Sequence, residues 1–380
     1  MQVIINASLM DSSPTGLGVY SQNILRELVA LLQIHDCTTV YTSHPGAFSG
    51  RMSHNVVIKG TAASLQPQFG KRAGFARFFW NQLVFPFKLQ RQDLVYCPTH
   101  HGYLCGPSEQ VVTIHDLLAI KFPTQYRLQY YYFKYFLPLL LRKAAAVIAD
   151  SENTRRDVHS YYRVPLNRIH VVYSAIAQEF KPASRDALQR VREIYGLSEF
   201  VFIIGASYPH KNISRAIKAF AQLRGKVPRV ELVVAGGRKE YLKVLEQEAR
   251  DLDIEGVKFL GYVPQQDIPL LYSAAYALLY PSLYEGFGLP PLEAMACGCP
   301  VIASNTSSLP EICGDAAFYV DPYSLESIAE GLFQVVSDEK IREALRQKGL
   351  EQAKRFSWQK AAEGVYGVLD SVHRDSLRMP

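Results

Sequence analysis

From end to end the chain alternates short apolar runs of strand character with amphipathic helical patterns, and no other feature restricts its fold as strongly. Strands buried on both faces read as continuous apolar runs, and a helix between two of them returns the chain for parallel pairing. One series comprises Val3-Ile4-Ile5, Thr39-Val40-Tyr41, Leu94-Val95-Tyr96, Val111 to Ile114, Ala146-Val147-Ile148 and His170-Val171-Val172. A second restarts at Phe200 to Ile204 and continues through Glu231 to Ala235, Val257 to Leu260, Ala277 to Leu279 and Pro300 to Ala303. The chain has 380 residues, more than one hydrophobic core ordinarily serves, so two α/β domains with parallel sheets are expected. The strand rhythm breaks between Ser174 and Glu199, where Pro182, Ser184 and a charged helix intervene, which divides the chain at 1–178 and 179–355. Residues 356–380, with Phe356-Ser-Trp358 and a helical pattern from Ala361 to Leu369, are expected to cross back to the first domain.

The segment richest in chemistry is Glu285-Gly-Phe-Gly-Leu-Pro-Pro-Leu-Glu293. An apolar run, Tyr276 to Pro281, precedes it, and a helical pattern from Leu292 to Cys297 follows, stopped by Gly298 and Pro300. Glycines admit close backbone approach to a ligand, a proline suits the first helical turn, and amides at a helix start favour an anionic oxygen. This loop therefore suits a phosphate-bearing ligand whose hydroxyls two carboxylates grip. Gly16 and Gly18 open a similar turn between the first strand and the helix that follows, and His115 stands at the carboxyl end of Val111 to Ile114, where ligands collect in such sheets. Asp116 beside it suits a turn cap.

Composition excludes several alternatives. Hydrophobic residues make up 48% and charged residues 20%, as in an ordinary globular protein, and the formal charge is +6. That charge suits an anionic ligand or membrane surface, and with no aromatic-basic nucleic-acid motif present, no nucleic-acid partner is expected. Met1-Gln-Val-Ile-Ile5 opens directly as a strand, without a charged leader, so an intracellular, cytoplasmic location is expected. The longest apolar stretch, Tyr135 to Leu141, is far too short to span a bilayer. Six cysteines at irregular spacing fit a reducing compartment. Cys97-Pro-Thr-His100-His101 with Cys105 has metal-like spacing, but its plainer reading is a strand end running into a loop whose histidines contact polar ligand, and no metal is expected.

Taken together with Gly16-Leu-Gly-Val-Tyr-Ser21, Val112-Thr-Ile-His-Asp116, Ala149-Asp-Ser-Glu-Asn153, Pro209-His-Lys-Asn212, Val234-Ala-Gly-Gly-Arg238 and Phe259-Leu-Gly-Tyr-Val263, the glutamate pair carries a likeness that covers nearly the whole chain. The sequence resembles family 4 of the retaining glycosyltransferases, whose GT-B architecture has two Rossmann-like domains facing across a cleft. The resemblance implies a nucleotide-sugar donor bound mainly by the second domain. Glu293 would hold the ribose diol and Glu285 the hydroxyls of the transferred sugar. The amides of Gly286, Phe287, Gly288 and Leu289 would meet sugar and diphosphate, Lys211 would pair with the diphosphate, and Tyr262 and Val263 would pack on the base. Relatives carry an arginine next to or just before this lysine. Here Gly205-Ala-Ser-Tyr-Pro-His210 stands instead, so Ser207 joins the donor set and either Arg238 or His210 supplies the missing charge. Gly16 and Gly18 would face the diphosphate, and His115 the sugar near its reacting carbon. His115, Glu285 and Lys211 are thus the expected catalytic residues, with no cofactor beyond the co-substrate.

Among such enzymes the chain looks most like bacterial mannosyltransferases that extend surface polysaccharides from GDP-mannose, with a glycan or glycolipid acceptor. A UDP- or dTDP-sugar enzyme, a glycoside hydrolase and a non-catalytic nucleotide-sugar-binding subunit are the rival readings. Lys71-Arg-Ala-Gly-Phe-Ala-Arg-Phe-Phe-Trp80, with Lys88 and Arg91, mixes basic and aromatic residues in the manner of a helix seated on an anionic membrane, or of an aromatic stripe turned to the core. Tyr126 to Phe136 poses the same choice, with core or acceptor-cleft wall favoured.

Overall fold

The computed structural model describes residues 1–11, 16–32, 36–48, 54–206, 208–224, 226–227, 229–237 and 239–378. The chain divides into two compact units, one formed by Met1–Ala175 with Ser357–Pro380 and the other by Ile176–Phe356.

The first unit is built on a parallel sheet of strands β1 (Gln2–Ala7), β2 (Cys37–Thr42), β3 (Val56–Gly60), β4 (Leu94–Cys97), β5 (Glu109–Ile114), β6 (Ala146–Ala149) and β7 (Ile169–Val171), in the order β3-β2-β1-β4-β5-β6-β7. The helix Trp358–Arg378 belongs to this unit and packs along the helix Leu17–Leu32, with Trp358 edge-on to Tyr20 at 5.7 Å. The second unit repeats the plan with β8 (Glu199–Ile204), β9 (Val230–Ala235), β10 (Val257–Gly261), β11 (Ala277–Tyr280), β12 (Val301–Ser304) and β13 (Ala317–Val320), ordered β10-β9-β8-β11-β12-β13. These are two Rossmann-like α/β units.

Period-two alternation within an unbroken apolar run explains the layering. Phe200, Phe202, Leu278 and Tyr280 point into one core of the second unit, and Val201, Ile203, Ala277 and Leu279 into the core on the opposite face. Such strands need cover on both sides, and helices provide it. The two strands absent from the sequence reading, β3 and β13, are both edge strands; β3 leaves Val57, Lys59 and Gly60 exposed, as an edge position permits.

In each unit the strand order reverses once, between β1 and β4 and between β8 and β11. Loops leaving the carboxyl ends of those strands diverge there and open a crevice, the usual ligand site of such sheets. In the second unit glycines shape its wall. Gly236 donates its N–H to Gly261 O at 2.6 Å, and Gly205 to Ala235 O at 3.1 Å. Gly237 has φ +107°, and a Cβ there would stand 2.0 Å from the carbonyl oxygen of Ala206. Gly237→Ala is therefore expected to destabilise the second unit by roughly 3 kcal/mol or more, combining backbone strain with overpacking, as read from its urea midpoint.

Candidate active site

Two of the expected residues meet at the reversal point of the second unit. Lys211 ends a short 3-10 turn, Pro209–Lys211, after β8, and Glu285 lies in the loop after β11. Lys211 Nζ donates to Glu285 Oε1 and to the Tyr280 hydroxyl, each at 2.7 Å. Burial by itself lowers a lysine's pKa, but the adjacent Glu285 carboxylate reverses this and the net shift is upward. Burial would likewise raise the Glu285 carboxyl, yet Lys211 holds it below its ordinary value. Both groups are charged, and each is the other's principal counter-charge.

The backbone around this pair is fixed from three sides. Glu285 N–H donates to Ser307 Oγ at 3.0 Å, and the Ser308 hydroxyl lies 3.0 Å from Glu285 O and 2.7 Å from Phe287 O. Leu283 N–H donates to His210 O at 2.8 Å, and the Asn212 amide donates to Pro281 O and Pro322 O. Asn212 itself takes a left-handed conformation, φ 63°, which asparagine tolerates. Tyr280, Ser307 and Ser308 were not singled out from sequence; Tyr280 read only as strand, and the serines carry no motif.

Gly286, Phe287 and Gly288 are buried, and Gly288, at φ 109°, turns the chain into the helix Leu289–Ala296. Pro290 and Pro291 carry no N–H, so the start of this helix can offer an anion the amide of Leu289 and, before it, that of Gly288. Phe287 points its ring into the core against Phe356 at 5.8 Å, so only its backbone is available to a ligand. Glu293, one turn along, accepts a hydrogen bond from the Tyr272 hydroxyl at 3.2 Å, and burial pushes its carboxyl up to about 7. The two glutamates thus titrate in opposite senses, Glu285 below its ordinary value and Glu293 well above it.

His210 does not supply the missing positive charge. It is 1% exposed, and burial, aided by Lys211 and opposed by Glu285, lowers its pKa to about 4, so the ring is neutral near pH 7. Ser207 and Arg238 lie outside the described residues. Tyr262 is 86% exposed on the loop after β10, whereas the Val263 side chain is spent in the core, leaving it only backbone with which to meet a base.

In the first unit, exposed Gly16, φ 48°, and buried Gly18 bring the chain into the helix Leu17–Leu32, whose Tyr20 lies edge-on to the His115 ring at 4.4 Å. His115 follows β5. Its Nδ1 is 2.6 Å from Asp150 Oδ2, at the end of β6, and its Nε2 is 2.9 Å from Pro98 O, at the end of β4. Both partners are acceptors, so both ring nitrogens donate and the ring is an imidazolium. Burial opposes that charge, but Asp150 outweighs it and the pKa is raised. Asp150 stands within the Ala149-Asp-Ser motif without having been read as a partner. Asp116 Oδ1 accepts from Leu118 N–H at 2.8 Å and caps the turn. His100 and His101 are pushed down by burial, and the buried Cys97 thiol up to about 12. Among the described residues no group of three His, Cys, Asp or Glu side chains could hold a metal ion.

Two parallel-sheet Rossmann-like units, with a lysine-glutamate pair at the reversal point of the second, define a glycosyltransferase of the GT-B class. Residues 14–180 match the family described as Glycosyltransferase Family 4, and residues 184–352 match Glycosyl transferases group 1. The chain is 31% identical over 379 residues to the O-antigen chain mannosyltransferase B of Escherichia coli, covering 94% of this chain and 97% of the other. It is 30% identical to the O-antigen chain mannosyltransferase RfbU of Salmonella typhimurium, over 84% of this chain and 87% of that one. Among solved structures, Anabaena HepE in complex with UDP and glucose superposes with TM-score 0.73 at 20% identity, covering 98% of this chain and 100% of that one. The chain belongs to glycosyltransferase family 4.

Proposed function

We propose that the protein is a retaining mannosyltransferase that moves mannose from GDP-mannose to a hydroxyl of a lipid-linked or polysaccharide sugar, working at the inner face of the cell membrane. The observation that carries this reading is the Lys211–Glu285 pair at the strand-order reversal. A donor exchanges the partners of that pair: the diphosphate takes the Lys211 ammonium and the sugar hydroxyls take the Glu285 carboxylate. Negative charge grows on the departing diphosphate as the glycosidic bond loosens, and Lys211 with the Gly288 and Leu289 amides stabilises it there, without a metal cofactor. The departing phosphate oxygen accepts the acceptor's proton, so no protein nucleophile takes part. The names of the relatives support mannose and a surface polysaccharide as acceptor.

Thermal shift against GDP-mannose, UDP-glucose and dTDP-glucose tests the donor. Ligand at about a hundredfold above its Kd adds about 2.7 kcal/mol to apparent stability. A shift with GDP-mannose alone is expected; a shift with a UDP- or dTDP-sugar alone would replace the donor.

Glu293 adds a pH signature. In this reading the ionised carboxylate accepts the ribose hydroxyls, so donor binding removes a proton from Glu293 below pH 7. GDP-mannose has no group titrating in this range. Its affinity is expected to fall roughly tenfold per pH unit below about 7 and to level off above it. Calorimetric titrations from pH 5.5 to 8 check this, and Glu293→Gln should abolish the slope.

A further inference from the structure

Residues 70–88 run through the helix Gly70–Phe79, a π turn Trp80–Val84 and a 3-10 turn Phe85–Lys88, and most of their large apolar side chains face outward, Phe85 being the one that fills the core. Arg77 and Asn81 point inward, Arg77 to Leu65 O and Asn81 to the Asn6 amide, while Phe75, Phe79, Leu83 and Phe87, spaced four apart, are 56–85% exposed. A helix covering a core does the opposite. Residues 127–143 make a second stripe: Phe133, Leu137, Leu140 and Leu141 fill the core, and Leu128, Tyr131, Tyr135 and Leu139 are exposed. The Phe78 and Phe136 rings meet edge to face at 5.1 Å, which joins the stripes into one face. Soluble proteins seldom expose so continuous an apolar surface without a partner for it.

Charge says what that partner is. The sequence has no Asp or Glu from 37 to 92 or from 117 to 149, while these stretches hold seven and five Lys or Arg residues, twelve positive charges in a chain whose formal net charge is +6. Lys71, Arg72, Lys88 and Arg91 are exposed at the ends of the first stripe, and Lys134, Arg142 and Lys143 beside the second. Basic side chains flanking aromatic and aliphatic ones suit acidic headgroups over an acyl boundary. No helix among the described residues is long and apolar enough to cross a membrane, so the match is to a surface lying in the membrane plane.

We propose that this face seats the first unit on an anionic lipid bilayer. It also adjoins the histidine site. The Gln82 amide bonds Gly102 O and Leu104 N–H, and Tyr132 OH donates to His100 O, so both stripes are tied to the segment after β4 whose Pro98 carbonyl holds His115. A sugar on a lipid carrier is thereby presented at the carboxyl edge of the sheet. This deepens the reading of location above and rests on it, but its test uses neither donor nor acceptor.

Flotation of the full chain with vesicles of equal phosphatidylglycerol and phosphatidylcholine, and of phosphatidylcholine alone, decides it. Binding to the anionic vesicles only, weakened by salt, is expected. The variant Phe75→Ser/Phe79→Ser/Leu83→Ser/Phe87→Ser and the variant Lys71→Gln/Arg72→Gln/Lys88→Gln/Arg91→Gln should each lose at least about tenfold in partitioning with an unchanged unfolding midpoint, and the second should show a weaker salt dependence than the wild type. Absence of flotation, equal binding to neutral vesicles, or a concentration-dependent dimer that the serine variant abolishes in place of vesicle binding would overturn the proposal.

Discussion

Lys211→Ala is expected to lower kcat with GDP-mannose by about a hundredfold to a thousandfold, the usual loss when one preorganised group facing developing negative charge is removed. It should also cost the second unit about 3 kcal/mol, because Glu285 is left buried with its counter-charge gone and a neutral His210 beside it. The pH dependence separates these effects. In the wild type the lowered pKa of Glu285 contributes stability that is present above its ordinary value of 4.5 and lost as pH falls through the folded value. In the variant burial is the largest influence on Glu285, opposed by His210 and the Ser282 hydroxyl, so its pKa is expected to rise and its contribution to change sign: stability then declines as pH rises above about 4.5. The double variant Lys211→Met/Glu285→Gln removes both charges, so it should recover much of the stability and none of the activity. Urea unfolding from pH 4 to 8 beside steady-state kinetics checks all three.

Asp150→Asn is expected to lower kcat roughly a hundredfold and to destabilise the first unit by about 3 kcal/mol at pH 6. Asp150 fixes both the orientation and the charge of His115, whose other nitrogen is committed to Pro98 O. Tyr20 lies edge-on to the ring, Asp116 adds a weaker negative field, and the remaining force on the imidazolium is burial, which favours the neutral ring. A raised folded pKa contributes stability that is fully present below the ordinary 6.5 and lost as pH rises through the folded value. Asp150→Asn should remove that slope while Asp116→Asn leaves most of it, and NMR titration of the His115 ring gives the direct reading.

Much of the fold was readable from sequence because strands buried on both faces announce themselves as apolar runs. What escaped was β3 and β13: both carry apolar runs, Val56 to Ile58 and Ala317 to Val320, but the described helical elements before them, Pro45–Phe48 and Leu309–Cys313, are only four and five residues long, so the alternation of strand and long helix is weak there. At the site, the spacing of Glu285 and Glu293 was informative, but their opposite titration was not, because it depends on what folding brings around each: the Lys211 ammonium beside Glu285, and burial around Glu293, which the Tyr272 hydrogen bond offsets only in part. Position along the chain likewise made His210 a candidate cation, and only its burial shows it neutral. The role of Asp150 was hidden for the same reason, since it reaches His115 through the pairing of β5 with β6.

The central claim is transfer of mannose from GDP-mannose with its configuration kept, and the product's anomeric signal tests it most directly. Proton and carbon NMR of the disaccharide made from GDP-α-mannose and a synthetic lipid-linked sugar should show an α-linked mannose with one GDP released per linkage. A β-linked product, or turnover of the acceptor with UDP- or dTDP-sugars and none with GDP-mannose, would contradict it.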